Sequence, residues 1–298
     1  TSSHETAREI RQASVRAGEL DVAYLECGEG PLAVCLHGFP DSAHTWRHLL
    51  PELADAGYHA VAPFMRGYAP TSVPSSGVYQ TAALARDVNA LHDALGGDER
   101  ALLVGHDWGA PAAAGAAIDQ PERWRRVVTM AVPPGPALGA SFLGNLAQIQ
   151  RSWYMFFFQH ALSNHVVAAN DLAFIDMLWQ QWSPGFDATE ELTHVKSSLR
   201  NSDNLQAALG YYRATLGDGK RDPELATLQQ RMGAEYPPQP LLYLHGMNDG
   251  CIGVDVAQAA REMSPGNVRV EFVADAGHFM QLERPDEVNS LIVDFATR

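Results

Sequence analysis

The stretch Leu102-Leu103-Val104-Gly105-His106-Asp107-Trp108-Gly109-Ala110 constrains this chain more than any other. A short apolar run ends at Gly105, and small residues at helical spacing begin after Trp108, from Ala110 through Ala117. A single acid stands between them, with a glycine two residues before it and another two residues after. This is the pattern of a strand, a tight turn and a helix, with the acid at the apex. So tight a turn leaves no room for side chains at the flanking positions. The apex residue is pushed above the sheet, over a helix N-terminus whose free N–H groups and positive dipole end suit an anion. A carboxylate is already ionised near pH 7. It can attack a strained or activated sp3 carbon without a base, leaving an ester on the protein that a second step must hydrolyse. The plainer reading makes Asp107 a helix N-cap, but a cap needs neither glycine.

A length of 298 residues accommodates one large domain, or a domain with an insertion, and buries a sizeable core. The net charge of −14 argues against nucleic acid and anionic membrane as partners. Cys27, Cys35 and Cys251 form no CxxC and no even framework, so they read as reduced thiols. Cys251, two residues after Asp249, reads as inert packing, with a place near the site as the alternative. No apolar run is long enough to span a bilayer. A cytoplasmic location is the expectation, although a start at Thr1 rather than Met leaves room for a removed leader.

Along the chain, strand and helix patterns alternate. Ser14–Arg16 and Leu20–Glu26 read as strands around a turn, followed by strands at Leu32–Leu36 and Tyr58–Ala62. Helices are expected from Ser42 or Ala43 to Asp55 and over Gln80–Leu95, and strands over Leu102–Val104 and Val127–Val132. The alternation predicts an α/β fold with a mostly parallel central sheet flanked by helices. It breaks between Pro133 and Pro238, where the stretches Phe142–Gln159, His165–Trp182, Thr189–Asn201, Asn204–Leu216 and Pro223–Met232 have helical spacing. The predicted organisation is a core of residues 1–132 and 239–298 with an inserted helical cap at 133–238. Leu241–Leu244 and Val268–Val273 read as closing strands, and Val254–Met263 and Pro285–Phe295 as closing helices.

Further motifs lie at strand ends: His37-Gly38-Phe39-Pro40, Asp249 after Leu241–Leu244, and Gly277-His278-Phe279 near the end. Together with Gly105-His106-Asp107-Trp108-Gly109 and the cap, their order resembles the α/β-hydrolase superfamily. Within it the chain resembles the aspartate-nucleophile branch and its epoxide hydrolases, from Val22 to Ala296. The resemblance implies Asp107 as nucleophile, His278 as the base that activates water, and Asp249 as the acid that orients His278. Asp255 and Asp275 are rivals for the acid. It also implies an oxyanion hole from the backbone N–H groups of Phe39 and Trp108, with a cis bond before Pro40.

Opening an epoxide releases an alkoxide, which needs a proton or a strong hydrogen bond; a phenol of pKa ~10 can give one. Ser152-Trp153-Tyr154 and Gly210-Tyr211-Tyr212-Arg213 match the two cap segments that carry the family's paired tyrosines, implying Tyr154 and Tyr212, with Tyr211 the neighbouring rival. Phe39, Pro40, Trp108, Phe158 and Trp179 are the candidate pocket residues. The implied partners are a small apolar epoxide and water. Neither cofactor nor metal is expected, and the oligomeric state, monomer or homodimer, stays open. The alternatives are a haloalkane or haloacetate dehalogenase of the same branch and a non-catalytic ligand receptor on the same fold.

Overall fold

The computed structural model describes residues 8–298. Its centre is an eight-stranded sheet in the order β1-β2-β4-β3-β5-β6-β7-β8. The strands are β1 (Arg11–Ala17), β2 (Leu20–Cys27), β3 (Leu32–Leu36), β4 (His59–Pro63), β5 (Ala101–His106), β6 (Trp124–Met130), β7 (Leu241–Gly246) and β8 (Val268–Val273). β1 and β2 form an antiparallel hairpin, β2 pairs antiparallel with β4, and all other neighbours are parallel. Every residue of β3, β5 and β7 is buried, which is why these strands read as continuous apolar runs. The sheet-flanking helices are α1 (Leu49–Asp55), α2 (Thr81–Ala94) and α3 (Gly109–Asp119). This is the mostly parallel α/β architecture that the alternation predicts.

Between β6 and β7 the chain is helical, with α4 (Ala137–Ser141), α5 (Leu146–Arg151), α6 (Trp153–Phe157), α7 (Ser163–Val166), α8 (Ala169–Trp182), α9 (Thr189–Leu199), α10 (Ser202–Leu216) and α11 (Ala226–Ala234). The chain closes with α12 (Val254–Met263), α13 (Met280–Glu283) and α14 (Pro285–Ala296). No helix among the described residues is long and apolar enough to cross a membrane.

Four expected helices are broken: Pro223–Met232 is a 3-10 turn at Pro223–Leu225 followed by α11, and the other three break for local reasons. The one expected to reach Asp55 is a 3-10 turn at Ala43–Trp46 followed by α1. Pro51 lies inside α1, and its ring forbids the α-helix from running back through Arg47. The stretch Phe142–Gln159 divides into α5 and α6, with Asn145 starting α5 by accepting a hydrogen bond from Gln148 N through its side chain. The stretch His165–Trp182 is interrupted by three successive left-handed residues, Asn170, Asp171 and Leu172, at φ of 53°, 52° and 59°. Asn and Asp tolerate this region; for Leu172 it is strained.

Gly105 and Gly109 are required by close approach. Neither has a positive φ. A Cβ on Gly105 would collide with the Gly109 carbonyl, and one on Gly109 with the carbonyl oxygens of Leu36 and His37. The glycines therefore let α3 start directly against the ends of β3 and β5. Gly109→Ala is expected to cost roughly 1–3 kcal/mol, as other overpacking substitutions do, because the colliding atoms are backbone. Urea unfolding measures this; a loss below about 0.5 kcal/mol would mean that the strand ends yield more freely than a packed interior allows.

Candidate active site

Asp107 follows β5 directly and sits at φ 56°, a left-handed conformation uncommon for a residue with a side chain. Its own N–H donates to Met130 O at 3.1 Å, and its carbonyl accepts from Ala110 N at 3.0 Å, so both neighbours hold it there. The side chain is turned to the site. Oδ1 accepts from the N–H groups of Phe39 and Trp108, each at 2.8 Å. Only the first of these comes from the far side of the site, and neither is the bond to the second or third helical residue that defines an N-cap.

The Phe39 N–H is aimed by the loop after β3. His37 lies at the end of that strand, fully buried, and accepts from Met65 N at Nε2 (3.0 Å). Its Nδ1 therefore carries the proton and donates to Gly38 O (2.8 Å). Burial pushes the His37 pKa down to about 4, so the ring stays neutral. A Cβ on Gly38 would overlap Asp107, which makes that glycine a condition of the approach. The Phe39–Pro40 bond is cis. The Trp179 indole N–H donates to Pro40 O at 2.8 Å and ties α8 to this loop.

The second Asp107 oxygen, Oδ2, lies 2.9 Å from His278 Nε2, and His278 Nδ1 lies 2.9 Å from Asp249 Oδ2. Asp249 is fixed by its own turn, its Oδ1 accepting from the N–H groups of Cys251 (2.7 Å) and Ile252 (3.0 Å). One carbonyl at the end of α8, Trp182 O, accepts the N–H groups of both Gly250 and His278. The rivals of Asp249 are elsewhere: Asp255 pairs with Arg151 and Asn145, and Asp275 is exposed beside Arg284.

Electrostatics follow from burial and pairing. Burial alone would lower the His278 pKa, but the two carboxylates outweigh it and raise it to about 10. Burial alone would raise Asp107 and Asp249, yet His278 holds both below the usual carboxylate range. The resting arrangement is an imidazolium between two carboxylates.

A cavity of about 320 Å³ reaches Asp107. Tyr154 of α6 and Tyr212 of α10 line it, and their rings meet edge to face at 5.7 Å. Burial pushes both phenols well above 10, reinforced for Tyr154 by Cys251, Tyr212 and Asp107 and for Tyr212 by Asp107, so each remains protonated at neutral pH. Tyr211 does not line the cavity; its hydroxyl donates to Arg66 O at 2.6 Å. Trp108 lines the cavity, whereas Phe39, Pro40, Phe158 and Trp179 do not, contrary to expectation. They are absorbed by packing: Phe39 and Phe158 lie edge to face at 5.6 Å, and Trp179 stacks on Phe279. The cavity walls come instead from the β6–α4 connection and α11, including Pro134, Leu138 and Met232.

Cys251 is buried beside the site, and burial holds its thiol well above the ordinary thiol pKa. Its thiol lines the cavity and lies 3.3 Å from the Tyr154 hydroxyl. Asp107, Cys251 and His278 place one donor atom each within 4.8 Å of one another, the metal-like set among the described residues. All three are already engaged, and a cation there would have to displace the Asp107–His278 bond. Sequence reasoning also passed over Asp41, which follows Pro40. Burial drives its carboxyl well above the usual carboxylate range, against the Ser42 N–H that donates to its Oδ1 at 2.8 Å.

Residues 31–285 match the family described as the alpha/beta hydrolase fold. The chain belongs to that family. Among its relatives, this hydrolase is 28% identical to epoxide hydrolase A of Mycobacterium tuberculosis, over 92% of this chain and 93% of that protein. It is likewise 28% identical to an epoxide hydrolase of Caballeronia sordidicola, over 96% and 93%. The crystal structure of a putative epoxide hydrolase from Klebsiella pneumoniae superposes with a TM-score of 0.86 at 27% identity, covering 99% of each chain.

The charged triad gives this hydrolase a definite pH dependence of stability. The His278 pKa is raised from 6.5 to about 10, so its contribution is complete below about pH 6.5 and lost as pH rises through about 10. The carboxylate pKa values are lowered from 3.8, so their contribution is present above that value and lost as pH falls through the folded ones. The urea midpoint of wild type relative to His278→Gln is therefore expected to be highest near pH 5–6 and to decline toward pH 10. A difference that stays flat over that range would contradict the imidazolium assignment.

Proposed function

We propose that this hydrolase converts epoxides to vicinal diols through an ester on Asp107. The observation that carries the reading is the convergence of one carboxylate and two neutral buried phenols on a single, mainly apolar cavity. The names of its relatives point the same way. Residues 133–238 act as the cap that supplies both phenols.

Asp107 Oδ2 attacks a ring carbon; the carbon–oxygen bond breaks, and the ring oxygen takes a proton from Tyr154 or Tyr212. The ester that forms is neutral. His278 then loses one of the two carboxylates that hold its proton, its pKa falls, and the proton passes to the phenolate. The free imidazole, still oriented by Asp249, takes a proton from water as the water oxygen attacks Asp107 Cγ. Charge collects on Oδ1, where the Phe39 and Trp108 N–H groups already point. As the tetrahedral intermediate collapses, the proton left on the attacking water oxygen passes to the departing alkoxide, so the diol leaves with the original Oδ2, Asp107 is again a carboxylate, and His278 keeps the proton it took from water as the resting imidazolium. In this scheme the high resting pKa of His278 is compatible with its role as a base, because the first step removes its cause.

The cavity also weighs against a haloacid substrate. No Lys or Arg lines it among the described residues, and the His278 charge is already shared between Asp107 and Asp249, so a substrate carboxylate would meet no free counter-charge. A halide leaving group needs no proton, so the phenols would have nothing to protonate.

In water enriched with heavy oxygen, a single turnover is expected to place the label in Asp107 and leave the first diol unlabelled, as mass spectrometry of the peptide and product would show. Label in the first diol would exclude the ester. Tyr154→Phe and Tyr212→Phe are each expected to lower kcat by roughly tenfold to a thousandfold, as loss of one donor at a developing oxyanion does, with the double variant lower still. Undiminished diol formation in the double variant would remove the phenols from the mechanism.

A further inference from the structure

The reacting groups stand at one end of their cavity. From Asp107, Trp108, Tyr154 and Tyr212, the lining continues along Pro111 and Ala114 of α3, past Leu138, to Met232 and Gly233 of α11. On the opposite side, Phe39, Phe158, Trp179 and Trp182 are each 0–2% exposed, and none lines the cavity. Phe158 packs edge to face against Phe39, Tyr154 and Tyr212 at 5.6, 5.7 and 5.0 Å, so it closes the space behind both phenols. Trp182 bridges Tyr154 and His278 at 4.9 and 5.2 Å, and Trp179 stacks on Phe279. This wall is dense aromatic packing, and opening it for a substituent would cost the contacts of large buried rings.

An epoxide held between Asp107 and the two phenols has its carbon–carbon bond across the site. Substituents on the two ring carbons diverge toward opposite sides, in cis and trans isomers alike. A space that extends to one side only accepts one substituent. We propose that the substrates are terminal epoxides: a single extended, uncharged, mainly apolar arm runs from the ring under α4 toward α11, and the unsubstituted carbon faces the Phe39–Phe158–Trp182 wall. The polar side chains that line the cavity beyond the reacting groups are neutral, Thr81, Thr129, Thr215 and Gln229, and Gln229 is already committed to Ala82 N and Thr81 Oγ1. They exclude a charged arm while tolerating an ether or hydroxyl within it.

This inference rests on the diol-forming reading, and one pair of isomers separates the two. 1,2-Epoxyoctane and trans-4,5-epoxyoctane share formula, size and reactive group and differ only in where the ring sits. Purified wild-type protein is expected to hydrate the terminal isomer with kcat/KM at least tenfold above the internal one. The internal isomer is expected not to inhibit turnover of the terminal one at equal concentration. A ratio below tenfold, or equal competition, overturns the one-armed site while leaving the chemistry standing. No diol from either isomer overturns the diol-forming reading and this inference with it. In Phe158→Ala the ratio is expected to narrow because the internal isomer gains; an unchanged ratio in the folded variant overturns the assignment of the wall. If that variant does not fold, the wild-type comparison decides alone.

Discussion

The Asp107 carboxylate is held from two directions at once, and the rest of the site depends on it. Two backbone N–H groups fix Oδ1, and the imidazole of His278 faces Oδ2. A buried carboxylate without such partners would lose its charge or destabilise the fold. Here the two oxygens have distinct surroundings, so they are inequivalent before any substrate arrives. That inequivalence requires Phe39 to come within reach from β3, which in turn requires Gly38, Gly105 and Gly109 to have no side chains. The topology places β3 beside β5 in parallel register, Leu36 opposite Gly105, so both strands end at the same level. The site thus lies at the C-terminal edge of a parallel sheet, where the chain leaves adjacent strands.

Much of the core was legible in the sequence because its signals are local. Leu32–Leu36 and Leu102–Val104 are continuous apolar runs, and such runs mark strands buried on both faces. The inserted segment was less legible. Its helices were recognisable by spacing, but their ends were not, because short helices packed on one another are delimited by single residues. Asn145 begins one helix, and Asn170-Asp171-Leu172 turns the chain left-handed inside a stretch whose apolar spacing reads as continuous. Periodicity reports which residues are buried, not where the backbone changes hand.

The same division runs through the site. Asp107, Asp249 and His278 stand at strand ends, and the strand order alone brings such positions together. The pocket residues proved misleading because an aromatic side chain announces burial without saying against what. Phe39, Phe158 and Trp179 serve the wall, while less conspicuous residues such as Pro134, Leu138 and Met232 line the space. Cys251 follows the same logic: the sequence shows it two residues after the acid, but only the turn that folds its N–H onto Asp249 brings the thiol to Tyr154.

What relates the phenols to the triad is a set of polar bonds between the inserted helices and the loops after β7 and β8. Gln148 of α5 is fully buried; its Nε2 donates to Cys251 O and its Oε1 accepts from Gly253 N. Trp182 O, on α8, takes the N–H groups on either side of the Asp249–His278 pair, and Ser183 Oγ accepts from Phe279 N. These bonds satisfy backbone groups that the loops would otherwise bury unpaired, so they form only when the helices are seated. Tyr154 lies six residues after Gln148, just across the junction between α5 and α6. Its position relative to Asp107 is therefore set through the acid loop as well as through apolar packing. A helical insertion resting on the core by hydrophobic contact alone could slide, because such contact has no direction. Anchored on the carbonyl and N–H groups of the loop that carries Asp249, it cannot shift without breaking buried hydrogen bonds, and the two phenols keep their distance from the Asp107 carboxylate.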